Sequence, residues 1–137
     1  MRALLTFLLL ALAPLTAAAD ERILSFADEV RVAPDASVTV TEDITVRVEG
    51  REIRHGILRD FPTRYADRNG RQVNVGFEVL SVQLDGRDET YKLEALSNGT
   101  RLRIGRAEAN VARGVRHYRL TYRTTRQLGF FAGFDEL

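Results

Sequence analysis

Apolar and polar residues alternate along most of the chain after residue 20. Leu24, Phe26, Val30 and Val32 share one parity, and Val38, Val40, Ile44, Val46 and Val48 make a second such row. Val73, Val75, Phe77 and Val79 continue the pattern, and the parity then switches to Leu80, Val82 and Leu84. Later come Leu102 and Ile104, then Tyr118, Leu120 and Tyr122. A period of two is the mark of half-buried strands, and the adjacent apolar pair at 79 and 80 predicts a β-bulge. No convincing 3.6-residue period appears after residue 20. Turn signals recur at Pro34-Asp35, Asn69-Gly70, Asp85-Gly86 and Asn98-Gly99. Short strands with regular turns predict an all-β fold, an antiparallel β-sandwich.

Two hairpins can be written residue by residue. Asn98-Gly99 suits a two-residue type I′ loop. That loop places Ala95 opposite Leu102, Leu93 opposite Ile104 and Glu94 opposite Arg103, with the apolar residues on one face. In the first hairpin, Val30 facing Val40 sets Phe26 against Ile44 and Leu24 against Val46. It also sets Asp28 against Glu42 in the middle of both apolar rows. Paired carboxylates can do acid–base work or hold Ca²⁺. A bulge, a solvated sheet edge or an inward arginine would explain them structurally.

The N-terminus changes the domain picture. Met1-Arg2 is followed by an apolar run from Ala3 to Leu15, and Ala17-Ala18-Ala19 precedes Asp20. This is the plan of a secretory signal peptide helix, residues 1–19, with cleavage after Ala19. The run is shorter than the ~20 apolar residues of a bilayer span. Residues 20–137 are then one exported domain on the extracytoplasmic side of the membrane, in the periplasm or cell envelope.

Composition narrows the chemistry. Twenty basic residues stand against nineteen acidic ones, and loss of Arg2 with the leader leaves neutrality, so charge gives no reason to expect nucleic acid. There is no cysteine and only His55 and His117, which leaves no thiolate or histidine-rich metal site and no implied cofactor. None of Ser25, Ser37, Ser81 and Ser97 sits in a G-x-S-x-G elbow, and no glycine loop would cradle a phosphate. No catalytic residue is assigned. Between Arg101 and Arg126 eight arginines accompany one acid, Glu108. That excess could meet anionic headgroups or acidic polymers, or simply occupy outward strand positions.

The stretch 51–65 is the chemically densest, with Arg54, His55, Arg59, Asp60, Phe61 and Tyr65. Gly56 and Pro62 predict a mostly non-strand connection with Phe61 buried. Loops on rigid β scaffolds often carry binding residues, so Arg54, Arg59, Asp60, Phe61 and Tyr65 are the candidate binding set. The alternative is a plug for one end of the sandwich, with Arg59 and Asp60 paired.

The run from Arg54 to Tyr65, RHGILRDFPTRY, resembles the central motif of a bacterial domain of unknown function found in YciQ-like predicted membrane proteins. The likeness extends to residues 21–26, 40–46, 76–80, 94–100 and 122–131. The resemblance implies a signal peptide, an exported β-rich domain and membrane helices beyond it, with no known activity. It also implies that Leu137 ends the chain early, with an open sheet edge beside Tyr118, Leu120 and Tyr122 and an unfinished element at Phe130, Phe131 and Phe134. The function expected is a non-enzymatic module of a membrane-embedded protein that binds an envelope polymer or a protein partner. An envelope hydrolase using Asp28, Glu42 or Asp60 and a purely structural domain are the alternatives.

Overall fold

In a computed structural model, residues 20–67, 69–130, 133, 135 and 136 are described. The expected leader (1–19) and Phe131 and Phe134 of the expected unfinished element lie outside them. The described strands are β1 (Arg22–Val32), β2 (Val38–Val48), β3 (Ile57–Phe61), β4 (Arg64–Ala66), β5 (Gln72–Asn74) and β6 (Phe77–Leu84). They continue as β7 (Arg87–Asp88), β8 (Tyr91–Ala95), β9 (Thr100–Ile104), β10 (Gly114–Thr124), β11 (Gly129–Phe130) and β12 (Asp135–Glu136). There is no helix among the described residues.

One sheet runs β1-β2-β10-β6-β7 and a second runs β3-β9-β8, with small pairs β4-β5 and β11-β12, all antiparallel. β2 shows why alternation works as a folding code. Val38, Val40, Ile44, Val46 and Val48 are all buried, and of the residues between them only Glu42 is buried with them. Ile44, Val46 and Val48 meet Tyr118 and Leu120 of β10 and Val82 of β6. Leu102 and Ile104 of β9 join the same cluster, so both larger sheets feed one core. Burying each such side chain contributes about 1.5–3 kcal/mol.

The first hairpin keeps the expected register from Val32 against Val38 to Phe26 against Ile44, including Asp28 against Glu42. A bulge then sets Ile23, rather than Leu24, opposite Val46. The parity switch is also real: the β10–β6 ladder passes from Ser81 to Val79, and Leu80 is left over. The expected burial of the β1 row is not met. β1 is the sheet edge, so Leu24, Phe26, Val30 and Val32 stay exposed.

The second hairpin corrects its expectation. β8 and β9 pair Leu93 with Leu102 and Ala95 with Thr100, two residues away from the type I′ register, across a four-residue loop. The apolar face survives because a shift of two preserves parity. Gly99 does not adopt positive φ. It is needed because a Cβ there would lie 2.0 Å from the Phe61 carbonyl oxygen. The two-residue loop occurs instead at Asp85-Gly86, with φ of 50° and 76° at its two residues, between Leu84 and Arg87.

Two further expectations change. β10 is flanked by β2 and β6, so Tyr118 and Leu120 are buried in the middle of the sheet and no open edge lies beside them. Residues 57–61 form strand β3, at the edge of the three-stranded sheet, although 51–56 are irregular. Pro62 follows the strand's last residue, which is compatible with its missing N–H. Phe61 is half-buried and stacks against Phe77 and Tyr122, with ring centroids 4.4 and 4.9 Å away.

Candidate functional site

Strand pleating separates the candidate residues. On β3, Ile57, Arg59 and Phe61 turn toward the five-stranded sheet, while Leu58 and Asp60 turn out. Arg59 and Asp60 therefore do not pair with each other. Arg59 makes a bidentate contact with Glu42, Nε to Oε2 at 2.8 Å and Nη2 to Oε1 at 2.6 Å. Glu42 is only 2% exposed, whereas the Arg59 side chain is 30% exposed. The Tyr122 hydroxyl donates to Glu42 Oε1 at 3.2 Å. The Arg59 guanidinium also lies 5.3 Å from the ring centroids of Phe26 and Phe61. Burial, then the Glu42 charge, raises the Tyr122 phenol well above its ordinary value.

Asp28 completes this cluster on the exposed edge strand. Partial desolvation and the Glu42 charge raise its carboxyl above the usual range, and Arg59 opposes them. Glu42 is thus the anomalous carboxylate neutralised by an inward arginine. On the opposite face of β3, Asp60 receives Nε and Nη2 of Arg101, both at 2.7 Å. That hydrogen-bonded guanidinium holds the Asp60 carboxyl below its usual range. Tyr65 is exposed on β4, remote in sequence register from either pair. Only Arg59 and Phe61 of the candidate set are brought into one cluster.

Arg54 belongs to a different place. It lines a cleft of about 380 Å³ with Gly50, His55, Asn110, Val111 and Arg113. The Val111 N–H donates to the Arg54 carbonyl at 2.7 Å, tying the two loops together. His55 Nδ1 lies 3.0 Å from the Ala109 carbonyl oxygen. Next to this cleft, the backbone N–H groups of Glu49, Gly50, Arg51, Glu52 and Ile53 all donate to the Glu21 carboxylate. Burial would raise that carboxyl, but the convergent N–H donors outweigh it and bring it down to about 2.

Sequence reasoning missed Glu21, Asn110 and Arg113. The arginine-rich stretch that contains Arg113 was visible, but period and spacing could not say which of its arginines would find a carboxylate. Among the described residues no group of three or more His, Cys, Asp or Glu is placed to hold a metal ion. Among them, too, no helix is long and apolar enough to cross a membrane.

Comparison with known proteins places the chain. Residues 22–137 match the N-terminal domain of the predicted membrane proteins designated DUF2207. The uncharacterized protein YciQ of Escherichia coli (strain K12) is 24% identical over 103 residues. That match covers 75% of this chain and 16% of the relative, so the chain spans a small part of that protein's length. No solved structure matches.

Proposed function

This chain belongs to the DUF2207 family of predicted membrane proteins, and from that premise we propose that it is a non-enzymatic binding module. In this reading residues 1–19 are a cleaved signal peptide and residues 20–137 an extracytoplasmic β-sandwich. Its two layers are the five-stranded and three-stranded sheets, whose side chains share one core cluster. The module binds an envelope component or a protein partner on behalf of a longer, membrane-embedded protein.

The observation that carries this reading is the fate of the carboxylates. Acid–base catalysis needs titratable groups converging in a cleft, open to substrate. Glu42 and Asp60 are each closed on a bidentate arginine, on opposite faces of β3. A hydrolase would have to rely on Asp28, whose carboxyl is raised.

The test is to incubate the purified chain with isolated envelope polymer and with phospholipid vesicles. Co-sedimentation without release of new reducing ends or free fatty acid is expected. Release of either product that disappears in Asp28→Asn would overturn the reading.

A further inference from the structure

We propose that the cleft between residues 50–55 and 109–113 binds a phosphate-type oxyanion, held by the guanidinium groups of Arg54 and Arg113. The inference deepens the binding-module reading and rests on it.

Charge is the first argument. The cleft lining, Gly50, Arg54, His55, Asn110, Val111 and Arg113, holds two permanent positive charges and no acid. By contrast, Arg31, Arg59, Arg71, Arg101, Arg103 and Arg116 each reach a carboxylate at 3.3 Å or less. Among the described residues, neither Arg54 nor Arg113 has a carboxylate within ion-pair distance. Arg54 Nε donates only to the Arg51 carbonyl, at 2.9 Å.

Preorganisation is the second. Besides the Val111–Arg54 bond, Arg116 clamps the far loop, with Nε on the Ala112 carbonyl and Nη2 on the Arg113 carbonyl, both at 2.8 Å. A site braced before its ligand arrives loses less freedom on binding. Gly50, at φ +76°, lies beside the Arg113 side chain: a Cβ there would be in ordinary contact with Arg113 Nε, 3.4 Å away. The same glycine contributes its N–H to the backbone array that holds Glu21. This end of the molecule therefore already binds one oxyanion, supplied by the chain itself.

The donor set selects the ligand class. Guanidinium forks suit phosphate and carboxylate alike. A single carboxylate would leave one of the two positive charges unmatched, whereas a phosphate monoester carries nearly two negative charges near neutral pH. The volume of about 380 Å³ lies in the range of small-ligand clefts. It leaves room for the sugar or glycerol that the phosphate would esterify.

The experiment follows the thermal midpoint of the full chain as inorganic phosphate is added, against chloride at equal ionic strength. Phosphate should raise the midpoint, because a ligand that binds only the folded state stabilises it. Arg54→Gln and Arg113→Gln should each weaken the apparent affinity roughly tenfold, the loss of one charge-assisted hydrogen bond. Arg31→Gln, in an exposed pair, should respond like the native chain. Sedimentation with phosphatidic acid vesicles, lost in the Arg54 and Arg113 variants, would identify the source as a lipid headgroup. A response to free phosphate without vesicle binding would identify a soluble ligand. Equal effects of phosphate and chloride, or variants that respond as the native chain does, would overturn the inference. Envelope co-sedimentation persisting without a phosphate effect would sink this site alone. Hydrolysis dependent on Asp28 would sink the module reading and leave the phosphate response standing.

Discussion

Arg59 and Arg113 face opposite electrostatic situations. Arg59 sits at an inward strand position, where its guanidinium meets the rings of Phe26 and Phe61 and Glu42, a carboxylate bonded in turn by Tyr122. Arg113 precedes β10, lines an open cleft, and has no carboxylate among the described residues. A buried charge must be paired or it costs several kcal/mol, so the strand interior closes its charges on one another. A loop at the end of a sheet is under no such pressure and can leave a charge free for a ligand. The difference teaches that the carboxylates of Glu42 and Asp60 are tied into the architecture, whereas Arg54 and Arg113 are left available for the proposed ligand.

Mutation of Arg59 should give the largest effect. Arg59→Met leaves Glu42 buried without its partner and should lower stability by about 3 kcal/mol, at the low end for a buried pair because Arg59 is partly exposed. Urea midpoints measure it. In the double variant with Glu42→Met, most of that loss should return, since two apolar residues leave no orphaned charge.

The next effect is visible in acid. Glu21 has its carboxyl lowered to about 2. Its share of stability is present above the ordinary value of 4.5 and is lost as pH falls toward 2. Glu21→Gln should remove that share, so its stability should fall less steeply than the native chain's across this window. An unchanged acid profile would mean that the N–H array does not hold the start of β1.

Asp28 has the opposite sign and a smaller effect. Its carboxyl is raised, so the folded chain binds more protons than the unfolded one just above pH 3.8, and ionisation there lowers stability. Asp28→Asn should therefore give a slightly higher midpoint at pH 7 and little change at pH 3. Arg113→Gln should alter stability least, within about 0.5 kcal/mol as for most surface changes, while its phosphate response falls.

How much of this could be read from the residues depended on where charge interrupted the pattern. The alternation of β2 and the match of Asp28 to Glu42 were readable because the apolar row on either side fixed the parity. β3 was not, because Arg59 occupies an inward position between Ile57 and Phe61 and so disguises a strand as a charged loop. The Asn98-Gly99 loop misled for a different reason. Its glycine answers to the backbone of Phe61, a contact between distant segments that turn chemistry cannot report. The Arg54 and Arg113 cleft is likewise a meeting of distant loops, and only Arg54 of that pair was singled out. β1 alternates like a buried strand yet lies at the sheet edge, since period alone says nothing about what covers a face.

The most direct test of the account is a map of backbone amide shifts during phosphate titration at constant ionic strength. Changes centred on residues 50–56 and 109–114 are expected, with silence at Phe26, Asp28, Glu42, Arg59 and Tyr122. Changes centred on the Glu42–Arg59 cluster, with the Arg54–Arg113 loops silent, would contradict it.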